Sequence, residues 1–152
     1  MDPNIHLIII THESDFFILY DELLNDHSGF IYNRSSILNA YKNGLLYGLK
    51  QSTNLLPCLC ILRNSCNPII REAEILWVHT RMRQNHLGQT LIHLLNINYA
   101  RILSESIVFW QKCGFQIEKN HFGGLDIATN YSFNKQTRSG LVYNKKNENK
   151  IF

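Results

Sequence analysis

Long hydrophobic runs are missing from this 152-residue chain. The first apolar stretch, residues 5–10, is far shorter than the ~20 residues that span a bilayer. It follows Asp2 and no basic leader, which is not the layout of a secretion signal. No membrane association is expected, and a reducing cytoplasmic or nuclear compartment is the default. Cysteine is sparse: Cys58, Cys60, Cys66 and Cys113 include no Cys-x-x-Cys pair. They read as small buried hydrophobes, so neither a disulfide framework nor a thiolate metal site is expected. The histidines show no ligand spacing among themselves or with the cysteines, and no metal is expected. Charge is modest, with 18% charged residues, a net +3 and no concentrated Lys/Arg stripe, which argues against nucleic acid as a partner. There are only three prolines. Two of them, Pro57 and Pro68, fall where a strand end or bulge and a loop are expected.

What is present is an ordinary globular composition, 45% hydrophobic, in a length that suits one domain. We assign residues 1–144 to a single domain and 145–152, with Lys145, Lys146 and Lys150, to a basic flexible tail. Period-two and period-3.6 patterns alternate along the chain, which predicts a mixed α/β fold. Strands are expected at residues 5–11, 45–50, 55–62, 72–79, 100–103, 115–119 and 139–144. Helices are expected at 15–25 with Ser14 as cap, at 35–41 closed by Gly44, at 87–99, and from Ser104 or Ser106 through Lys112, closed by Gly114. Residues 121–136, rich in glycine, asparagine and serine, read as a long loop.

The stretch from Glu74 to Leu91 carries the most chemistry. It reads as a buried strand, a polar turn with Arg81 and Arg83, and a helix opening at Gly88. First-turn amides of a helix lack intrahelical partners, and the helix dipole adds partial positive charge there. A glycine lets a phosphate approach the main chain, and arginines add charge-assisted hydrogen bonds. A phosphorylated ligand is the expectation.

Two segments carry a resemblance to a known family. Leu76-Trp-Val-His-Thr-Arg-Met-Arg-Gln-Asn-His-Leu-Gly-Gln-Thr-Leu91 is similar to the acyl-CoA signature Arg/Gln-x-x-Gly-x-Gly/Ala of the GNAT superfamily of N-acyltransferases. Ser106-Ile-Val-Phe-Trp-Gln-Lys-Cys-Gly-Phe115 is similar to that family's helix ending in Phe-Tyr-x-x-x-Gly-Phe. Together they cover about a sixth of the chain, in the family's order and separation. The resemblance implies a mixed, mostly antiparallel sheet flanked by helices, whose fourth and fifth strands splay apart. It implies acetyl-CoA as co-substrate and an amine as acceptor, in a monomer or homodimer. The pantetheine arm would bond the main chain near Trp77 and Val78 like an added strand. The pyrophosphate would lie on Arg83, Gln84, Asn85, His86, Leu87, Gly88 and Gln89. Glu74 is the candidate general base, with Glu72 placed on the same strand face by two-residue alternation.

Two departures bear on this. His86 stands where the signature has its first glycine. Trp110 replaces the tyrosine that, in the family, often protonates the leaving thiolate, and an indole N–H is no practical acid. The alternative reading is therefore a catalytically impaired GNAT-like binding or regulatory module. The acceptor itself has no readable code in residues 16–41 or 121–138, where the family chooses it.

Overall fold

The computed structural model describes residues 3–26, 34–120 and 122–131. The strands are β1 (Ile5–Ile9), β2 (Leu46–Gln51), β3 (Asn54–Leu55), β4 (Cys58–Leu62), β5 (Glu72–Val78), β6 (Tyr99–Ile102), β7 (Gln116–Glu118) and β8 (Asp126–Thr129). They form one sheet in the order β1-β2-β4-β5-β6-β8-β7, with the two-residue β3 attached to β2. Every pairing among these strands is antiparallel except β5 with β6. That exception follows from the connection, because a helix crossover returns the chain in the same direction.

Helices α1 (Glu13–Asn25) and α2 (Arg34–Lys42) cover one face of the first strands. Phe16, Leu19 and Leu23 of α1 and Ile37 and Ala40 of α2 pack there against Leu46, Leu59, Ile61, Ile75 and Trp77. Helices α3 (Leu87–Leu95) and α4 (Ile107–Lys112) lie on the other face. Leu87, Leu91, Ile92 and Leu95 of α3 and Trp110 of α4 join Cys58, Cys60, Ala73, Ala100, Ile102 and Ala128 in the second core cluster. The cysteine pair is thus core, and burial pushes both thiols up to about 12, well away from reactivity.

The elements depart from the sequence reading in a few places. The strand expected over 55–62 is interrupted, because Pro57 has no N–H for a ladder, and it separates β3 from β4. Helix α3 stops at Leu95, where Asn96 adopts the left-handed conformation (φ 54°) and closes it. Tyr99 consequently belongs to β6. His12, and not Ser14, holds the N-cap position of α1, with no side-chain cap bond. The stretch expected to be a long loop contains β8, which sits between β6 and β7. Gly123 and Gly124, both at positive φ, lie in the β7–β8 turn. The expected strand 139–144 and the tail 145–152 lie outside the described residues.

Candidate acyl-carrier cleft between β5 and β6

β5 and β6 pair only at Glu72 with Tyr99 and Ala73 with Ala100. Beyond Ala73 they part, and the gap opens a cleft of ≈ 610 Å³. Glu74, Leu76 and Val78 border it from β5; Arg101, Leu103, Glu105 and Ser106 border it from β6 and the segment after it. Phe109, Trp110 and Lys112 come from α4, and Arg83, His86, Gly88 and Gln89 from the turn and the start of α3.

The main chain of β5 is what the gap exposes. His79 N–H donates to Pro57 C=O across the β4 side at 2.9 Å. Neighbouring residues of a strand direct their main-chain groups to opposite edges, so those of Trp77 also face β4 and those of Leu76 and Val78 face the gap. Val78 C=O is met there by Arg83 Nε at 3.4 Å.

A bulge changes the other end of the strand. Ile61 pairs with Ile75 but Leu62 pairs with Ala73, which leaves Glu74 as the extra residue. Ala73 and Ile75 accordingly pack into opposite core clusters. The two-residue alternation expected of Glu72 and Glu74 is broken here. Glu72, with a side chain only 6% exposed, accepts from Arg63 Nε at 2.9 Å and lies 3.7 Å from Arg101 Nε. Glu74, 29% exposed, lies 3.4 Å from another nitrogen of Arg63 and borders the cleft. Of the two carboxylates, Glu74 is the one at the cleft.

Thr80–Asn85 is a 3-10 helix, followed by His86 at φ 58° and ψ 26°. That left-handed conformation favours glycine, and it falls where the signature carries one. The α3 ladder begins with Thr90 N–H donating to His86 C=O at 3.0 Å. The amides of Leu87, Gly88 and Gln89 form the first turn, which has no intrahelical acceptors. The Leu87 side chain itself is core. Gln84 and Asn85 are exposed and do not border the cleft; Asn85 Nδ2 lies 3.7 Å from Met82 Sδ. Gly88 has a packing reason to be glycine, since a Cβ there would lie 2.9 Å from Phe109 Cζ. Trp110 is buried and packs edge-on against Phe109 and Phe115, with ring centroids 5.5 and 4.9 Å away.

The opposite side of the turn is tied to α1. Trp77 Nε1 donates to Asp26 Oδ2 at 3.0 Å, and Thr80 N–H donates to Asp26 Oδ1 at 3.3 Å. Arg81 grips Glu22 with both terminal nitrogens, at 2.7 and 3.2 Å. His79 sits between the two carboxylates, 3.7 Å from Glu22 and 3.5 Å from Asp26, and its Nδ1 accepts from Arg81 N–H at 3.1 Å. The Arg81 hydrogen bond, against the opposing effect of burial, holds the Glu22 carboxyl below its usual range. At Asp26, burial pushes upward, but hydrogen bonds from Thr80 and Trp77 together outweigh it and the carboxyl is also lowered. The sequence groups Arg81 with Arg83 as a phosphate candidate; in the structure Arg81 faces α1 instead. The sequence signal for this cluster lies in two acids, Glu22 and Asp26, one turn apart at the C-terminal end of a helix that has no basic residue in its last turn.

Among the described residues, no group of three or more His, Cys, Asp or Glu side chains is arranged to hold a metal ion, and no helix is long and apolar enough to cross a membrane.

Solved structures share this architecture: the chain has the fold of the GNAT N-acetyltransferases. An acetyltransferase from Thermus thermophilus is similar at TM-score 0.65 and 12% identity, over 84% of this chain and 96% of that one. Arabidopsis thaliana Naa50, solved with the bisubstrate analogue CoA-Ac-MVNAL, is similar at TM-score 0.61 and 14% identity, over 84% and 99%. The PaiA N-acetyltransferase of Thermoplasma acidophilum, solved with coenzyme A, is similar at TM-score 0.60 and 15% identity, over 84% and 99%. No protein-family model and no curated protein matches the chain by sequence.

Proposed function

We propose that the cleft binds acetyl-CoA and that the protein transfers the acetyl group to an amine. The observation that carries this reading is the gap between β5 and β6, which ends at the unpaired amides of Leu87, Gly88 and Gln89. In this reading the pyrophosphate rests on those amides, with Arg83 and His86 beside it. The pantetheine arm lies along the open edge at Leu76 and Val78, where its amides find main-chain partners. Trp77 then acts as support behind the strand, and Gln84 and Asn85 shape the turn. The likeness to structures solved with coenzyme A or a CoA-linked analogue supports the choice of ligand.

The chemistry follows from what reaches the thioester. Glu74 takes a proton from the ammonium, directly or through water, and the free amine attacks the carbonyl carbon. The C–N bond forms, the attacking nitrogen gives up its second proton to water, the C–S bond breaks, and the thiolate takes up a proton. Trp110 cannot supply it, so either water or another residue at the cleft is the proton source. Stabilisation by acetyl-CoA in a thermal melt tests the binding half. It should be present in the native protein and shrink in Arg83→Ala and Gly88→Asp. No stabilisation at millimolar ligand contradicts the reading.

A second reading has its own observation. Trp110 fills the tyrosine position as a buried core residue, which suits a binding or regulatory module that keeps the cofactor and has lost turnover. Cofactor binding without acetyl transfer across a broad panel of amines and peptides favours it. Turnover that disappears in Glu74→Gln excludes it.

A further inference from the structure

Resting on the reading of the cleft as an acyl-CoA site, we infer that Glu22 and Asp26, on the opposite face of the sheet, are positioning residues for that site. Three alternate residues from the end of β5 and the turn after it, namely Trp77, His79 and Arg81, all end on these two carboxylates. Trp77 and Val78 at the strand end and Arg83 in the turn also border the cleft, while His79 and Arg81 do not. One short segment therefore has the cofactor on one side and α1 on the other. Where α1 holds it decides where Arg83 and the first amides of α3 stand.

The cluster breaks a local rule, which argues for a role beyond α1's own stability. Glu22 is in the last turn of α1 and Asp26 is its C-cap, where the helix dipole disfavours negative charge. The Asp26 side chain is, in addition, only 5% exposed. A helix selected only to form would carry a lysine or arginine here. The unfavourable placement is offset by partners from a single segment 51 to 59 residues away. Such conflicts between local preference and tertiary placement are expected at functional sites.

The contacts also differ in kind. Asp26 fixes the strand end through Trp77 and the main chain of Thr80. Glu22 fixes the turn through a bidentate guanidinium pair, which sets an orientation as well as a distance. Neither carboxylate borders the cleft, so their effect on a bound cofactor runs through Arg81 and the backbone.

Two measurements on the full chain test this. Acetyl-CoA affinity is measured by calorimetry, well below each variant's melting temperature, for Glu22→Gln, Arg81→Met, their double variant and Asp26→Asn. The Kd should rise roughly fivefold or more in each single variant. The double variant should be no weaker than the worse single one, because the same pair is broken once. Arg81→Lys should recover part of the affinity. In parallel, amide hydrogen exchange without ligand should speed up across residues 80–89 in Asp26→Asn and stay unchanged in β6 and β8. Kd values within about twofold of the native protein, despite lower melting temperatures, overturn the inference and leave the cluster a stability element. So does unchanged exchange across 80–89. If the native protein itself fails to bind acetyl-CoA while exchange across 80–89 rises, the positioning of the turn stands and the acyl-CoA reading falls.

Discussion

Gly88 and Phe109 stand in direct contact across the cleft: a Cβ added to Gly88 would lie 2.9 Å from Phe109 Cζ and 3.1 Å from Cε1. The glycine that a signature reading assigns to phosphate approach thus also admits an aromatic ring between α3 and α4. Gly88→Ala gains helix propensity, about 1 kcal/mol, but overpacks a ring that is held by Trp110. The expected net result is a loss of about 1 kcal/mol in denaturant unfolding. Gly88→Ala combined with Phe109→Leu should recover most of it. A fully stable single variant would show that the ring moves freely.

The two carboxylates on β5 should separate cleanly. Glu72→Gln weakens a buried carboxylate held by Arg63 and approached by Arg101, at a cost of about 1–3 kcal/mol in unfolding free energy. Glu74→Gln should leave stability within about 0.5 kcal/mol and lower kcat about 100-fold, in keeping with removal of a general base. Steady-state kinetics beside urea melts reads both. The opposite assignment of the two effects would move the base to Glu72.

The α1 cluster should impose a pH dependence. Glu22 and Asp26 both have carboxyls lowered in the folded state. The folded form then binds fewer protons than the unfolded one, so their stabilisation is present above the ordinary carboxylate range and is lost as pH falls through the lowered folded values. Melting temperature should therefore drop on acidification below about pH 5. The drop should be shallower in the Glu22→Gln/Asp26→Asn double variant, which starts less stable at neutral pH. Parallel curves for the two proteins would remove these carboxyls as the cause.

Trp110→Tyr should restore a phenolic proton donor at the position where the resemblance expects one. If thiolate departure limits turnover, kcat rises about tenfold or more, while the smaller ring costs about 1 kcal/mol of stability. Pre-steady-state release of coenzyme A separates this from a change in acetyl-CoA binding. A variant that binds normally and is no faster would show that proton delivery does not limit the reaction.

The parts of the fold legible in the sequence are those specified locally. Gly44 and Gly114 sit at φ 71° and 89°, as their places after helices demand, and the strand–turn–helix around Arg83 is plain from residue order. The rest depends on partners distant in the chain. β8 is four residues long and lies close to glycines that signal a loop, and only pairing with β6 and β7 makes it a strand. The bulge at Glu74 arises from the register against β4, which one strand's pattern does not encode. Trp77 reads as a core aromatic in any pattern, and its indole partner is 51 residues earlier. Arg81 and Arg83 share one polar turn, and only the signature alignment separates them in the sequence; in the structure one faces Glu22 and the other Val78.

In the proposed function, the opening between β5 and β6, ending at the start of α3, receives acetyl-CoA. The most direct measurement is an amide NMR titration of the uniformly labelled protein with acetyl-CoA. The expected result is a set of saturable shifts at Leu87, Gly88 and Gln89, together with Leu76 and Val78 on the open edge of β5. No shifts at millimolar acetyl-CoA, or shifts confined to α1 and β1, would contradict it.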